Sequence, residues 1–161
     1  MVSSMNGEDV LVVDGSIGEG GGQILRTVIA TAALLTRPVR IINIRAKRDP
    51  PGLRPQHLSA VRGMVEITRG EVDGLRIGSM EVFYRPGKIM SGRYEIDVGT
   101  AGSTTLMLQS LLPAISLAAG EVELVLRGGT NNPWAPPVDY VQRVLPVSYT
   151  HLRAHETRHD I

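Results

Sequence analysis

The sequence predicts an α/β protein that contains repeated βαβαββ units, and three observations support this fold class. Apolar runs of strand length alternate with longer apolar stretches that suit helices. A glycine-containing turn follows the first strand of each copy, with Gly15 and Gly99 separated by 84 residues. The arginines that end the following strands, Arg45 and Arg127, are separated by 82 residues. Matching signals at nearly the same offset indicate an internal repeat of one architectural unit.

The first copy is predicted from its apolar periodicity and from the glycines and prolines between the periodic segments. In order, its elements are a strand at 10–14, a helix at 22–35, a strand at 39–45, a helix at 55–69 and two short strands near 71–77 and 80–85.

The second copy repeats this order but is truncated. Its predicted elements are a strand at 93–98, a helix at 103–118, a strand at 121–127 and a helix that begins at Val138. Pro55 and Pro137 stand at corresponding helix starts, where the missing N–H of proline costs little. Both glycine turns and both proline-rich loops therefore follow the carboxyl ends of strands, where ligands bind in open α/β layers.

These elements predict four segments along the chain. An N-terminal extension at 1–9 precedes the first unit at 10–90 and the incomplete second unit at 91–147. The remaining segment, 148–161, is interpreted as a non-native tail, because 148–157 reads like a translated library adapter. His151, His155 and His159 would form a metal-ready stripe on a helix, but the tail interpretation rejects that site.

Composition excludes several classes of protein. The sequence has no cysteine, which rules out disulfides, thiol catalysis and cysteine-based zinc sites. Neither a signal peptide nor an apolar run of membrane-spanning length is evident, so a cytoplasmic protein without membrane contact is expected. Residues 37–62 hold seven basic side chains against one acidic side chain. Such a patch suits a phosphate-bearing partner, although a solvated charged face is the alternative.

The glycine-rich segment at 14–26 is the strongest candidate for a binding site. Five glycines between positions 15 and 22 allow a ligand to approach the backbone closely, and the turn leads into a helix N-terminus that favours phosphate. No lysine follows the glycines, so the turn is not a P-loop, and Gln23 replaces the third glycine of a dinucleotide fingerprint. Binding of a nucleotide or polyphosphate therefore remains one interpretation of this turn, and a flexible turn without a ligand is the other.

Several motifs together resemble the RNA 3′-terminal phosphate cyclase family over residues 10–145. The motifs are Asp14-Gly15-x-x-Gly18-Glu19-Gly20-Gly21-Gly22-Gln23-Ile24-Leu25-Arg26, Ile44-Arg45-Ala46-x-Arg48, Pro51-Gly52-Leu53-x-x-Gln56-His57-Leu58, Gly99-x-Ala101-Gly102-Ser103, Leu108-Gln109, Leu112-Pro113-Ala114 and Gly128-Gly129-Thr130-x-x-Pro133-x-Ala135-Pro136-Pro137. The resemblance implies repeated βαβαββ units related to the enolpyruvyl transferase fold. It also implies ATP-dependent conversion of an RNA 3′-phosphate to a 2′,3′-cyclic phosphate with Mg²⁺ or Mn²⁺.

The resemblance assigns roles residue by residue. Glu19 corresponds to the metal-binding carboxylate, with a solvated turn acid as the alternative. The implied catalytic residues are Arg26, Arg45, Arg48, Gln56 and Gln109. The implied nucleotide-binding residues are Gly20, Gly21, Gly22, Gln109 and Pro136. For the arginines the alternative is an ordinary exposed base, and for Gln109 it is a buried glutamine that satisfies backbone groups. Trp134 is expected only to cover its loop, and His57 is more typical of a packed or capping histidine than of a catalytic one.

In the family a histidine is first adenylylated, AMP then passes to the RNA 3′-phosphate, and the 2′-OH displaces AMP. The resemblance places that histidine in a C-terminal part that this sequence lacks, so an N-terminal fragment that is inactive alone is expected. Two other hypotheses remain: a non-catalytic, cyclase-like protein of ribosomal RNA processing, and an enolpyruvyl-transferring relative, against which the glycine turn argues.

Overall fold

The computed structural model describes residues 3–5 and 8–145. Their elements, in chain order, are β1 (Ser3–Met5), β2 (Glu8–Asp14), α1 (Gly22–Leu35), β3 (Val39–Ile42), α2 (Pro55–Thr68), β4 (Glu71–Asp73), β5 (Val82–Arg85), β6 (Gly92–Asp97), α3 (Thr104–Ile115), β7 (Val122–Arg127) and α4 (Val138–Arg143). The α/β class that the sequence predicts is confirmed.

The strands form two sheets, and each sheet contains one parallel β-α-β crossover. The first sheet has the order β1-β2-β3-β5-β4. Strands β2 and β3 are parallel, with Leu11 opposite Val39, whereas β1, β4 and β5 pair antiparallel to their neighbours. The second sheet consists of β6 and β7, which are parallel with Tyr94 opposite Leu124. The β2-α1-β3 and β6-α3-β7 arrangements therefore repeat, as the glycine offsets predict.

Helices α1, α2 and α3 contact one another and cover the sheets. In α1 the fully buried side chains Leu25, Ile29 and Ala33 recur every four residues and form one apolar stripe. The helix ends at Leu35 and is capped by Thr36, which has φ 50° and donates its N–H to the carbonyls of Ala32 and Ala33. This stripe fixes which face of α1 points inward and leaves Arg26 at the margin of the core.

Helix α2 provides the centre of the core. Its side chains Val61, Met64 and Ile67 are at most 1% exposed. Tyr84 from β5 is completely buried, and its hydroxyl lies 2.9 Å from Oγ1 of Thr68 at the end of α2. A buried tyrosine hydroxyl requires such a partner, so this contact fixes α2 against the first sheet.

The predicted elements differ from the observed ones mainly at their ends. The strand predicted at 39–45 ends at Ile42, because Asn43 and Arg45 adopt φ values of 53° and 54° that interrupt an extended strand. The strand predicted near 71–77 ends at Asp73, before Gly74 with φ 77°. The helix predicted at 103–118 spans Thr104–Ile115, with the hydroxyl of Ser103 accepting the N–H of Leu106 as its N-cap.

The remaining differences concern the termini. Strand β1 lies within the predicted N-terminal extension and pairs antiparallel with β2, with Ser4 opposite Asp9. The predicted tail at 148–161 lies outside the described residues. Among the residues that the structure describes, no helix is long and apolar enough to cross a bilayer.

Candidate functional site

The glycine turn joins β2 to α1 and is shaped by local hydrogen bonds. Oδ1 of Asp14 accepts the backbone N–H of Ser16 at 2.9 Å and the side-chain amide of Asn43 at 3.3 Å. These bonds, those from Ser16 first, hold the pKa of Asp14 below its usual value. Gly18 and Gly20 both have φ 59°, a conformation that L side chains rarely adopt. The turn therefore needs glycine at these two positions.

The basic loop after β3, residues 43–54, lies opposite this turn. Nη2 of Arg48 is 3.3 Å from Oε2 of Glu19, and Nζ of Lys47 is 3.4 Å from the carbonyl of Gly18. The Glu19 side chain remains 92% exposed and that of Arg48 44% exposed. The pair thus connects the turn to the loop while both side chains stay accessible to a ligand.

The side chain of Arg45 forms hydrogen bonds within its own loop. Its Nε donates to the carbonyl of Gly52 at 3.1 Å, and its Nη2 donates to the carbonyl of Pro50 at 3.3 Å. Burial lowers the pKa of Arg45, and repulsion from Arg48 and Arg54 lowers it further. Arg45 therefore holds the shape of the loop and adds positive charge to it.

His57 lies between the loop and the glycine turn in the first turn of α2. It is 1% exposed, and its Nδ1 accepts the backbone N–H of Arg54 at 3.1 Å. Burial, followed by the charges of Arg45, Arg26 and Arg54, lowers the pKa of His57 to about 4. The ring is therefore neutral at pH 7, and because Nδ1 accepts a hydrogen bond, we assign its proton to Nε2.

Two adjacent clefts open beside α1. One, of about 410 Å³, is lined by Glu19, Gly20 and Gly21 from the turn. The other, of about 500 Å³, lies between α1 and α3 and is lined by Arg26 and Gln109 among others. Gln23 and Thr27 line both clefts, so the two spaces adjoin.

Five of the predicted site residues thus line these two adjoining clefts, namely Glu19, Gly20, Gly21, Arg26 and Gln109. Arg48 contacts this group through Glu19. Burial lowers the pKa of Arg26, and an anionic ligand at this position would offset the cost of burying its charge.

The other predicted residues lie elsewhere around the site. Gln56 lies against the second glycine turn, since a Cβ built on Gly102 would be 3.1 Å from Cβ of Gln56. Pro136 does not line either cleft, and its carbonyl accepts the hydroxyl of Thr105 at 2.8 Å. Gly22 faces the imidazole of His57 instead of open space.

Two residues of the basic stretch, Lys47 and Arg54, contact the site although the sequence assigned neither of them a specific role. Lys47 contacts the glycine turn, and the backbone of Arg54 contacts His57. Both belong to the basic stretch at 37–62, which the sequence identified only as a charged patch that suits a phosphate-bearing partner. Trp134, for which the sequence predicted only a role in covering its loop, lines the α1–α3 cleft while remaining fully exposed.

The residues that the structure describes do not include a cluster of three or more side chains of the kind that binds a metal ion. Glu19 nevertheless suits Mg²⁺, which keeps several waters and is commonly bound by one or two carboxylates together with substrate phosphates. Its carboxylate is exposed at the glycine turn, with the guanidinium of Arg48 beside it. The single carboxylate of Glu19 thus fits a metal ion that binds together with a polyphosphate.

Comparison with known proteins gives one consistent result. The family profile for RNA 3′-terminal phosphate cyclase matches residues 17–159. A protein of that name from Desulfurococcus amylolyticus is 52% identical over 143 residues, which are 89% of this chain and 40% of the relative. Proteins of the same name from Hyperthermus butylicus and Methanopyrus kandleri are each 55% identical, over 84% and 81% of this chain and 38% and 37% of the relatives. The chain thus spans about 40% of the length of these relatives.

Proposed function

The chain belongs to the RNA 3′-terminal phosphate cyclase family, and on that basis we propose that its protein converts an RNA 3′-terminal phosphate to a 2′,3′-cyclic phosphodiester using ATP. The observation that supports this most directly is the contact between Glu19 and Arg48. It joins a glycine turn to a basic loop at the mouth of adjoining clefts. That arrangement suits two phosphate-bearing substrates, ATP and an RNA end.

The phosphates would be held by backbone and guanidinium groups. The N-terminus of α1 has no side-chain cap, so its backbone dipole is available to an anion beside Gly20 and Gly21. Arg26 and Arg48 supply charge from two sides, and Arg45 keeps the loop in place. We propose that these residues orient the RNA phosphate and stabilise the charge that develops during displacement.

A divalent cation, Mg²⁺ or Mn²⁺, would supply charge neutralisation at the nucleotide phosphates when bound. We propose Glu19 as its carboxylate ligand. Because Glu19 contacts Arg48, binding of the cation would release that guanidinium to a substrate phosphate. Gly20, Gly21, Gly22, Gln109 and Pro136 are proposed to contribute to the nucleotide site.

The proposed reaction proceeds through covalent AMP. A histidine nitrogen bonds to the α-phosphorus of ATP as pyrophosphate leaves, and the AMP group then passes to an oxygen of the RNA 3′-phosphate. The RNA 2′-oxygen next bonds to the 3′-phosphorus, which closes the cyclic phosphodiester, and AMP leaves. Splitting one displacement into successive displacements lowers each barrier.

The nucleophile is not assigned to the described residues. Among residues 9–145, His57 is the single histidine. It is 1% exposed, its Nδ1 accepts a hydrogen bond from Arg54, and its Nε2 lies against Gly22. Because this ring is buried, we propose that adduct formation takes place on a histidine outside residues 9–145. Gln56, at the start of the same helix, is proposed to bind the RNA end from the side of the second glycine turn.

The test uses the protein produced from its native gene, radiolabelled ATP and an RNA oligonucleotide with a 3′-phosphate. The proposal predicts a labelled enzyme–AMP adduct, and a cyclic RNA end that resists phosphatase. Binding of RNA without adduct or cyclised product would instead favour the non-catalytic role in RNA processing. Cell fractionation of the same protein tests the cytoplasmic location that the sequence predicts.

A further inference from the structure

Trp134 is the single tryptophan of the sequence, and the residue is fully exposed to solvent, with a relative exposure of 100%. It also has φ 66°, a conformation that is uncommon for residues other than glycine. A large indole is costly to leave in water, and aromatic residues normally bury 150–250 Å² each. The exposed indole is therefore available to stack with a ligand.

The exposure of Trp134 does not come from a loosely attached loop. On its N-terminal side, Oγ1 of Thr104 donates to the carbonyl of Gly129 at 3.0 Å, and the side-chain amide of Asn132 donates to Ala101. On its C-terminal side, Oγ1 of Thr105 donates to the carbonyl of Pro136 at 2.8 Å. The start of α3 thus holds the loop on both sides of the indole.

The indole stands at the α1–α3 cleft of about 500 Å³. The walls of this cleft combine apolar side chains, including Leu106 and Pro113, with the amide of Gln109 and the guanidinium of Arg26. Apolar walls accept a flat aromatic ring, an amide can pair with the polar edge of a heterocycle, and a guanidinium attracts an attached phosphate. Among biological ligands, a nucleobase that carries a phosphate combines these three properties.

We propose that Trp134 is a stacking platform for a nucleobase at the mouth of the α1–α3 cleft. This inference rests on the proposed function, which supplies two sources of such a base: the adenine of ATP and a base near the 3′ end of the RNA. Stacking on an aromatic side chain tolerates any base, because every base has a π-face. The loop therefore contributes an aromatic surface, while Arg26 and Gln109 contribute the polar contacts.

The test uses the tryptophan fluorescence of the 161-residue chain, which comes from Trp134 alone when excitation avoids the tyrosines. The chain is titrated with ATP, with inorganic triphosphate, with an RNA oligonucleotide that carries a 3′-phosphate, and with the same oligonucleotide made abasic at its last two positions. Equilibrium dialysis with labelled ligand measures binding independently of the emission. Quenching by ATP but not by triphosphate identifies adenine as the stacked base, whereas loss of quenching with the abasic RNA identifies an RNA base.

The matched variants are Trp134→Ala, Trp134→Phe and the control Tyr140→Ala, which removes an aromatic ring that is 49% exposed and does not line the cleft. We expect Trp134→Ala to weaken binding of the stacking ligand by about 5- to 100-fold, Trp134→Phe to weaken it less, and Tyr140→Ala to leave it unchanged. Ligands that bind in dialysis without quenching, and equally well to Trp134→Ala, overturn the stacking inference and leave the proposed function standing. Absence of any ATP or RNA binding in dialysis also overturns the stacking inference, whereas the proposed function is judged by adduct formation in the native-gene protein.

Discussion

The imidazole of His57 occupies the space that a side chain on Gly22 would need. A Cβ built on Gly22 would lie 2.1 Å from Nε2 of His57, far inside van der Waals contact. Gly22 is the first residue of α1 and His57 lies in the first turn of α2, so the two helices that flank the glycine turn meet through this contact. Glycine is therefore required at position 22 by packing, in addition to any role in ligand binding.

Gly22→Ala is expected to destabilise the protein. Helix propensity alone favours alanine over glycine by about 1 kcal/mol, which would stabilise α1. The new methyl group instead collides with a ring that is 1% exposed and whose Nδ1 accepts a hydrogen bond from the backbone of Arg54. Overpacking of this kind costs about 1–3 kcal/mol, so the free energy of unfolding should fall in urea titration. A stability equal to or above that of the wild type would show that the ring can relocate at little cost.

The double variant Gly22→Ala, His57→Ala separates packing from backbone effects. Removing the imidazole opens the space that the methyl group needs, so the cost of the two changes together should be clearly less than the sum of the single costs. Additive costs in the same urea titration would contradict the contact between Gly22 and His57 as the cause.

The stability of the protein should decrease on acidification because of His57. Its pKa is about 4 in the folded state and about 6.5 in the unfolded chain, so the unfolded state binds more protons between these values. The free energy of unfolding therefore falls as the pH decreases from about 7 to 4, by an amount on the order of 3 kcal/mol from this residue. Denaturant titrations at several pH values measure the slope.

His57→Gln provides the control for this pH dependence. Glutamine does not titrate, and at the third helical position its amide oxygen can still accept the N–H of Arg54. The variant should therefore have a flatter stability profile between pH 4 and 7, while carboxylates contribute equally to both proteins. Parallel profiles for the variant and the wild type would mean that another group controls the acid sensitivity.

The sequence predicted α1 at its observed bounds, because the glycine turn marks its start and the spacing of Leu25, Ile29 and Ala33 marks its buried face. The end of β3 was predicted three residues too late, because the apolar Ile44 continues the strand pattern, whereas the positive φ values of Asn43 and Arg45 belong to the loop that follows β3. Local patterns specify an element, whereas its ends depend on tertiary contacts.

The candidate site likewise combines features that the local sequence predicted with features that depend on tertiary packing. The glycine turn and the basic stretch were both evident in the sequence, and the structure brings Glu19 and Arg48 to 3.3 Å. The burial of His57 against Gly22 was not predictable, because it depends on how α1 and α2 pack. Likewise, the bonds from Arg45 to its own loop depend on a backbone path that no local pattern specifies. The binding roles of these residues stay predictions.

Tyr84→Phe should destabilise the protein modestly. The Tyr84 hydroxyl is completely buried and lies 2.9 Å from Oγ1 of Thr68, which itself donates to the carbonyl of Met64 at 2.8 Å. Phenylalanine preserves the packing and removes one hydrogen bond, which is worth about 1 kcal/mol in net terms. In a double-mutant cycle by thermal unfolding, Tyr84→Phe should cost much less in a Thr68→Val background. An equal cost in both backgrounds would contradict coupling between the two hydroxyl groups.

Glu19→Gln should impair activity while leaving the fold intact. The Glu19 side chain is 92% exposed, and surface ion pairs contribute about 0–1 kcal/mol, so its loss should barely change the free energy of unfolding. If Glu19 binds the divalent cation, the neutral amide should instead reduce enzyme–AMP formation by the native-gene protein by about 10-fold or more, with part of the loss recovered at higher Mn²⁺ concentration.

The matched control for Glu19→Gln is Glu123→Gln. Glu123 forms an exposed ion pair with Arg93 at 3.3 Å, the same distance as that between Glu19 and Arg48, but it lies in β7 and lines neither cleft. Both substitutions remove one carboxylate charge and one surface pair, so general electrostatic effects should be alike. A comparable loss of adduct in both variants would attribute the effect to net charge, whereas a loss confined to Glu19→Gln supports a carboxylate ligand at the glycine turn.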